Sequence, residues 1–357
     1  MRSVEKVSAM NDILSHSQRF ILLAILTVCV VSGTGYAQGS SSAPRYQPNQ
    51  KVSGTIRIWG DEFMSAVSEN WADGFRKYHP NIRFEITLMG SATAMPAIYT
   101  NQADLALLGR ESNTTDDNGF LHVLYYPPSR FELMTGSLDV PGKSYALAIF
   151  VHKDNPLARL TMAQLDAIFS CDDRHGLDNT RTWGQLGLTG EWKDKPINLY
   201  SYDAETGTGL FFLHAVLADS RKMNWENLKE FRDIKNPNSS TYESGQQIID
   251  ALRKDRFGLA VSSVRYANPE VRTIALAAKD GSPYYLATKE NLITRKYPLT
   301  RLTYAFVNQP PGKPMDPKVK EFLRYVFSSE GQDDISREDG YLPLSQEALL
   351  QQLKKLN

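Results

Sequence analysis

Hydrophobic residues in the first part of the chain follow two alternating periods. A strand with every second residue apolar is predicted at 56–60. Apolar residues then recur every three or four positions, which predicts one face of a helix, at Phe63, Val67, Trp71, Phe75 and Tyr78. Asp61 is a suitable N-cap for this helix. A second strand is predicted at 82–88 and breaks at Gly90.

The alternation of strand and helix patterns continues to the end of the chain. Further strands are predicted at 104–108, 145–151, 197–201, 257–261, 272–277 and 302–308. Further helices are predicted at 161–169, 209–218, 246–253, 317–328 and 346–356. This order predicts an α/β fold with mainly parallel sheets.

The first 37 residues have the layout of a secretory signal peptide. Arg19 precedes an apolar run at 20–31, and the small residues Gly35 and Ala37 come just before the predicted cut. The run is shorter than the roughly 20 residues of a membrane-spanning helix. Export across the inner membrane to a periplasmic or other extracytoplasmic location is therefore expected. An uncleaved anchor is the alternative, and lipid attachment at Cys29 is disfavoured by the bulky residue before it.

Composition narrows the function classes. A length of 357 residues suits two domains, and 40 basic and 40 acidic residues give a net charge of zero. Recruitment to nucleic acid or to an anionic membrane surface is therefore not expected. Residues 38–51 are rich in Ser, Pro, Gln and Gly and predict a flexible leader. Beyond the signal peptide only Cys171 remains, so no intramolecular disulfide is possible.

Three predicted strands lead into helices through turns made of small, acidic or hydroxyl residues. These turns are at 60–63, 90–94 and 204–209. The N-terminus of a helix offers unpaired N–H groups and a positive dipole end, so it can hold an oxyanion without a formal cation. A single turn of this kind is usually only a helix cap. In open α/β sheets, however, such loops gather beyond the carboxyl ends of the strands, where ligands bind.

Short motifs are spread along the chain: the Gly-Ser loop at 90–94, Ala-Asp-Leu-Ala at 103–106, Gly-Arg at 109–110, Asn-Pro-Leu at 155–157, Trp-Gly-Gln-Leu at 183–186, Pro-Gly-Lys-Pro at 311–314 and Gly-Tyr-Leu-Pro-Leu at 340–344. Together these segments resemble the phosphate-binding proteins that serve ABC importers. The resemblance covers nearly all of the chain after the signal peptide. It implies a type II periplasmic-binding-protein fold, in which two α/β lobes, each a mixed and mainly parallel sheet, close on a ligand about a two-strand hinge. Lobe 1 would be 52–143 with 266–357, and lobe 2 would be 144–265.

The resemblance also implies a set of ligand-binding residues. In the family, phosphate is held by amides and hydroxyls of three loops, one aspartate that accepts the phosphate proton, and one arginine. Asp104 falls on the position of that aspartate. The implied set is Asp61, Phe63, Gly90, Ser91, Ala92, Thr93, Asp104, Tyr202, Thr206, Gly207 and Thr208.

Two features depart from the family pattern. Tyr202 stands where the family has its arginine, which removes a charge-assisted contact to the anion. Asp61 and Glu62 stand where the family commonly has Ser or Thr, and carboxylates near a dianion are unfavourable. Either Asp61 only caps the helix while Glu62 faces solvent, or the ligand is not phosphate. Arg110 is a secondary candidate for the missing cation, with a surface ion pair as the other interpretation.

Three functions remain open from the sequence. The first is a binding protein for phosphate or a related oxyanion, partnered by a membrane ABC permease or a sensor. The second is the same fold with a different small polar ligand. The third, a secreted hydrolase, has little support because no Gly-X-Ser-X-Gly, His-Glu-X-X-His or P-loop motif is present. No cofactor, metal or nucleic acid is expected, since the histidines lack ligand spacing, and we expect a monomer.

Overall fold

The computed structural model describes residues 43–172, 174–337 and 340–356. The predicted signal peptide and the first residues of the predicted leader lie outside these ranges. In the described part of the chain, no helix has the length and apolar character needed to cross a membrane.

Strands and helices alternate along the described residues. The strands are β1 (Gly54–Gly60), β2 (Ile82–Leu88), β3 (Leu105–Leu108), β4 (Ser129–Thr135), β5 (Ala148–His152), β6 (Arg159–Thr161), β7 (Asn198–Tyr202), β8 (Leu228–Phe231), β9 (Ile234–Lys235), β10 (Thr241–Tyr242), β11 (Gly258–Ser262), β12 (Val271–Thr273), β13 (Ala275–Ala277) and β14 (Leu302–Val307). The α-helices are α1 (Ser65–Arg76), α2 (Ser91–Tyr99), α3 (Thr114–Leu124), α4 (Met162–Phe169), α5 (Gly207–Leu217), α6 (Ser244–Leu252), α7 (Lys289–Ile293), α8 (Pro317–Val326), α9 (Ser329–Arg337) and α10 (Gln346–Lys355). Short 3-10 segments lie at Glu62–Met64, Trp183–Leu186, Gly190–Trp192 and Val264–Tyr266.

Two five-stranded mixed sheets organise the fold. The first has the order β2-β1-β3-β14-β4, and the second has the order β12-β5-β11-β7-β8. β1 pairs in parallel with β2 and β3, whereas β14 runs antiparallel to β3 and β4. In the second sheet β7 pairs in parallel with β8 and β11, whereas β5 runs antiparallel to β11 and β12. The predicted α/β class with mixed sheets is confirmed.

The hydrophobic periods of the sequence explain how the first sheet acquires its helical layer. Ile56 and Ile58 of β1 are fully buried, and they share a core with Val67, Trp71 and Phe75 on one face of α1. Burying each of these side chains contributes roughly 1.5–3 kcal/mol. The second sheet has its own core, built largely from β5, β7, β11, α4, α5 and α6. Each sheet is therefore stabilised by its own helices.

Two chain segments connect the sheets and lie side by side. The chain leaves the first sheet after Thr135, and it returns there at Leu302. The Gly136 amide donates to the carbonyl oxygen of Arg301 at 2.8 Å, and the Leu147 amide donates to that of Leu299 at 3.3 Å. These paired segments form the double connection that the resemblance implies.

The second sheet extends beyond the lobe boundary predicted from the sequence. The predicted lobe 1 includes 266–357, but β12 pairs with β5 in the second sheet. Ile274, Leu292 and Leu299 also belong to the core of the second sheet. The boundary at 265 therefore falls too early for this sheet. The division into two lobes that move relative to each other stays a prediction.

The described end of the predicted leader is anchored to the first core rather than free. Tyr46 is 5% exposed, and its hydroxyl donates to Glu321 at 2.9 Å and lies 2.7 Å from Nε2 of His79. His79 is fully buried, and its Nδ1 accepts the Val52 amide proton at 3.3 Å. This bond assigns the ring proton of neutral His79 to Nε2. The expectation of a flexible leader is wrong for this segment, because Tyr46 supplies both a buried ring and a satisfied hydroxyl.

We predict that His79 makes stability depend on pH. Burial lowers the pKa of His79; the charge of Glu321 opposes this and that of Lys51 adds to it. The unfolded chain therefore binds the proton more readily, and the contribution of His79 to stability is complete above about pH 6.5 and falls as the pH drops below it. Urea unfolding at pH 7.5 and 5.5 should show a smaller pH effect for His79→Gln than for wild type.

The matched control for this prediction is His214→Gln, because the side chain of His214 is 64% exposed beside Asp219. It should retain the wild-type pH effect. An unchanged pH effect in His79→Gln would contradict the assignment.

Candidate functional site

Three loops follow the carboxyl ends of the parallel strands β1, β2 and β3. Because these strands run in the same direction, their loops emerge on the same side of the first sheet, at the carboxyl ends of the strands. The residues placed there are Asp61 after β1, Gly90 and Ser91 after β2, and Gly109 after β3. Two of the turns singled out from the sequence therefore meet in the structure.

A hydrogen-bonded bridge links the three loops. The Ser91 hydroxyl donates to Oδ2 of Asp61 at 2.8 Å and accepts the Gly109 amide proton at 3.1 Å. The other carboxylate oxygen of Asp61 accepts the Phe63 amide proton at 3.0 Å. A Cβ at Gly109 would lie 2.8 Å from Cγ of Asp61, so only glycine allows this close approach. Asp61 thus caps the helix start, as one interpretation held, and also orients Ser91.

The remaining residues of the first two loops differ in their exposure. Thr93 is turned back on its own loop, since its hydroxyl donates to the Gly90 carbonyl oxygen at 2.9 Å. Ala92 is exposed. Phe63 is 48% exposed, and one edge of its ring packs against Gly142. Glu62 is exposed, as its solvent-facing interpretation requires.

The third loop starts α5. Thr206 is the N-cap of this helix, and its hydroxyl accepts the Gly209 amide proton at 3.1 Å and donates to the Asp203 carbonyl oxygen at 2.7 Å. The amides of Gly207 and Thr208 have no hydrogen-bond partner among the described residues, as expected for the first turn of a helix. The Thr206 side chain is therefore occupied. Among the described residues, the donors of this loop without a partner are the Gly207 and Thr208 amides and the Thr208 hydroxyl.

Arg110 lies where the first-sheet loops meet the third loop. It follows Gly109, and a Cβ at Gly207 would lie 3.8 Å from Cδ of Arg110. Its guanidinium donates to Asp116 at 2.6 Å and to the Glu111 carbonyl oxygen at 2.8 Å. Its Nε has no hydrogen-bond partner in the described part of the chain. Arg110 is thus paired with Asp116, but the pair is mostly buried, with side chains 19% and 7% exposed, rather than at the surface. Arg110 still has a donor to spare.

Asp104 lies at the opposite end of the strands from these loops, directly before β3. Its carboxylate accepts protons from the Arg57 guanidinium at 2.8 Å and the Arg57 amide at 2.9 Å. Burial alone would raise the pKa of Asp104, but the hydrogen bonds from Arg57 outweigh it and hold the pKa below its usual value. The full length of β3 separates Asp104 from Gly109. The prediction that Asp104 joins the three loops is therefore wrong.

Tyr202 points into the second core rather than toward the loops. It is 2% exposed, and its hydroxyl lies 3.4 Å from the Ser262 hydroxyl and 3.5 Å from that of Tyr145. Burial is the main reason that the pKa of Tyr202 is raised well above its usual value. Including Tyr202 among the ligand-facing side chains is therefore a second error.

A cavity of about 180 Å³ opens between the Arg110 loop and α5. Its walls include Arg110, Asn113, Gly207, Phe211 and Arg221. Ser91 and Thr206 are not among its lining residues. Groups of His, Cys, Asp or Glu arranged to hold a metal ion are absent from the residues that the structure describes.

Comparisons with known proteins place this geometry in a family. A family model described as the PBP superfamily domain matches residues 46–330. Phosphate-binding protein PstS of Pseudomonas aeruginosa is 33% identical over 340 residues, which cover 94% of this chain and 98% of that protein. The chain belongs to the phosphate-binding proteins of the PBP superfamily. Members of this family are binding proteins, so the family is not one of enzymes.

More distant relatives share the fold of this PBP superfamily member. Protein SphX of Synechococcus elongatus is 22% identical over 298 residues, covering 81% of this chain and 77% of that protein. The crystal structure of PstS from Borrelia burgdorferi has a TM-score of 0.54 at 14% identity and covers 83% of this chain and all of that one. At this identity the likeness concerns the fold alone.

The sequence patterns did not identify three residues near the loops, which are Ser144, Glu111 and Arg301. Ser144, in the first connecting segment, donates from its hydroxyl to the carbonyl oxygen of Gly109. Glu111 accepts hydrogen bonds from the Arg301 guanidinium at 3.0 and 3.3 Å and from the Leu302 amide at 3.0 Å. No periodic or motif signal marks these residues, because their contacts depend on how the two connecting segments pack.

We predict a structural role for Asp104. Asp104→Asn should lower the free energy of unfolding by about 1–2 kcal/mol, because it removes charge-assisted hydrogen bonds from a mostly buried pair. Because the folded state has the lower pKa, the contribution of Asp104 is present at neutral pH and is lost on acidification below about pH 4. Urea unfolding at pH 7 measures the difference directly.

Asp73→Asn is the comparison for this variant. Asp73 pairs with Arg76 on the surface, where the two side chains are 74% and 42% exposed, and its loss should cost less than about 0.5 kcal/mol. Equal effects of the two substitutions would show that Asp104 carries no special structural weight.

Proposed function

We propose that this protein is an exported solute-binding protein that captures phosphate or a related oxyanion and delivers it to a membrane ABC importer. Family membership supports this proposal, as does the name of the P. aeruginosa relative, which is 33% identical and described as phosphate-binding. The signal-peptide pattern of the first 37 residues supports an extracytoplasmic location. We further propose that the protein acts by binding alone and catalyses no reaction.

The observation that carries the proposal is the grouping of two helix N-termini around Arg110. The Ser91 hydroxyl, at the start of α2, accepts the amide proton of Gly109, the residue before Arg110. Arg110 in turn lies near Gly207 at the start of α5. Amides at helix N-termini and a guanidinium are the donors that oxyanions prefer. The arginine that the resemblance implies at position 202 thus has a substitute that approaches from the first sheet.

Asp61 is the carboxylate best placed to take the role that the resemblance gave to Asp104. Asp61 accepts a hydrogen bond from Ser91, whereas Asp104 lies at the opposite end of the strands and pairs with Arg57. A carboxylate accepts the proton of hydrogen phosphate but repels sulfate, which has no proton to donate at neutral pH. Asp61 therefore favours a protonated oxyanion over a fully deprotonated one.

Calorimetric titration tests the proposed function. We expect phosphate to bind with a micromolar or lower dissociation constant and sulfate to bind at least about tenfold more weakly, which corresponds to 1.4 kcal/mol. Several amino acids serve as the comparison set for the alternative of a different polar ligand. Binding of an amino acid without binding of phosphate would reject the proposed ligand.

We predict that Arg110 supplies the main cationic contact. Arg110→Gln should weaken phosphate binding about 10- to 100-fold, because a hydrogen bond to a charged group contributes about 1.5–3 kcal/mol. The measurement is the same calorimetric titration, repeated at low and high salt.

Arg57→Gln is the matched control, since it breaks an arginine–aspartate pair in the same sheet but at the opposite end of the strands. This variant should lose stability and keep its affinity for phosphate. Equal losses of affinity in the two variants would argue against a direct role for Arg110.

A further inference from the structure

Arg301 is a buried cation that contacts both halves of the protein, that is, the first sheet and the second sheet, each with its own helices. It lies in the second connecting segment, directly before β14, and its side chain is 5% exposed. Its guanidinium donates to Glu111, which follows Arg110. On its other side, the guanidinium carbon lies 4.8 Å from the centroid of the Phe211 ring. Phe211 belongs to α5, one turn beyond Gly207.

The contacts of Arg301 therefore join the two elements on which the proposed function rests. Through Glu111 it holds the loop that carries Arg110, because the Arg110 guanidinium donates to the carbonyl oxygen of Glu111. Through Phe211 it contacts the helix whose first residue, Gly207, lies near Arg110. A buried cation over an aromatic face is attracted more strongly than one at an exposed site.

Separating the halves would break this arrangement at a defined point. The ion pair with Glu111 and the hydrogen bond that the Leu302 amide donates to Glu111 lie on the side of the first sheet, so Arg301 stays with that sheet. Phe211 is 7% exposed and belongs to the core of the second sheet. The contact between Arg301 and Phe211 is therefore the one that opens when the halves separate, and opening exposes both the ring and a buried charge to water.

We infer that Arg301 is a positioning residue that couples ligand capture to closure, with its guanidinium stacked on Phe211 only when the Arg110 loop and the start of α5 are together. The inference rests on the proposed function for its ligand, but its conformational part concerns the protein without ligand. Closure in this scheme is favoured by the anion at one end of the interface and by Arg301 at the other. A ligand shifts the equilibrium only by its differential affinity for the closed state.

Phe211→Leu is the main test variant. It removes the aromatic face and leaves the buried pair of Arg301 and Glu111 intact, whereas Arg301→Gln would leave Glu111 buried without its cation and could prevent folding. Stopped-flow measurements should show phosphate leaving Phe211→Leu about tenfold faster than wild type. Small-angle X-ray scattering should show a larger radius of gyration for the ligand-free variant.

Two further variants separate coupling from general packing. Phe211→Tyr keeps the ring and should restore the wild-type radius of gyration of the ligand-free protein. Arg256→Lys alters an arginine that stacks on Trp192 and pairs with Glu191 far from the loops, and it should change neither the dissociation rate nor the radius of gyration. Phe211→Leu should keep a stability near that of wild type while its radius of gyration changes. A general packing defect would instead lower the stability of Phe211→Leu.

The outcomes also separate this inference from the proposed function. If wild type does not bind phosphate, the proposed ligand is rejected, and the scattering of the ligand-free proteins alone decides the inference. A Phe211→Leu variant with the wild-type radius of gyration and, where phosphate binds, the wild-type dissociation rate would overturn it.

Discussion

The Ser91 hydroxyl is the contact on which the geometry of the candidate site depends. It joins the loop after β1 to the loop after β3 by donating to Asp61 and accepting from Gly109. Both ends of this bridge need special residues, a carboxylate at position 61 and a residue without a side chain at position 109. With the hydroxyl proton committed to Asp61, the donors of these loops that are left for an anion include backbone amides, the Thr208 hydroxyl and Arg110.

Charge balance around the loops follows from this commitment. Arg110 is paired with Asp116 and Arg301 with Glu111, so both of these arginines have a carboxylate partner. Such pairing allows arginines to be buried without an isolated charge. An entering anion would then share Arg110 with Asp116 through the guanidinium donors that remain, and helix amides would supply the rest of the field.

Much of the fold could be predicted because strong periodicity marked the buried strands and the amphipathic helix α1. α3 was missed because Phe120 is its only fully buried apolar residue, so the helix shows no apolar stripe, although Asn113 and Asp116 form a capping box. Loop positions at the ends of β1 and β2 were also predictable from small residues before helices. The predictions for Asp104 and Tyr202 are wrong because resemblance to a family motif does not fix at which end of a strand a residue lies, or whether its side chain points into the core. Arg301 gave no signal, since its partners are brought together only by the crossing of the two connecting segments.

We expect an oxyanion to bind between the N-termini of α2 and α5 with Arg110 beside it. A crystal structure of the protein grown with phosphate would show this contact. Tetrahedral density should lie within hydrogen-bond distance of the Gly207 amide and the Arg110 guanidinium, near Asp61. Density for phosphate beside Arg57 and Asp104, or a fully occupied anion elsewhere with these loops empty, would contradict this expectation.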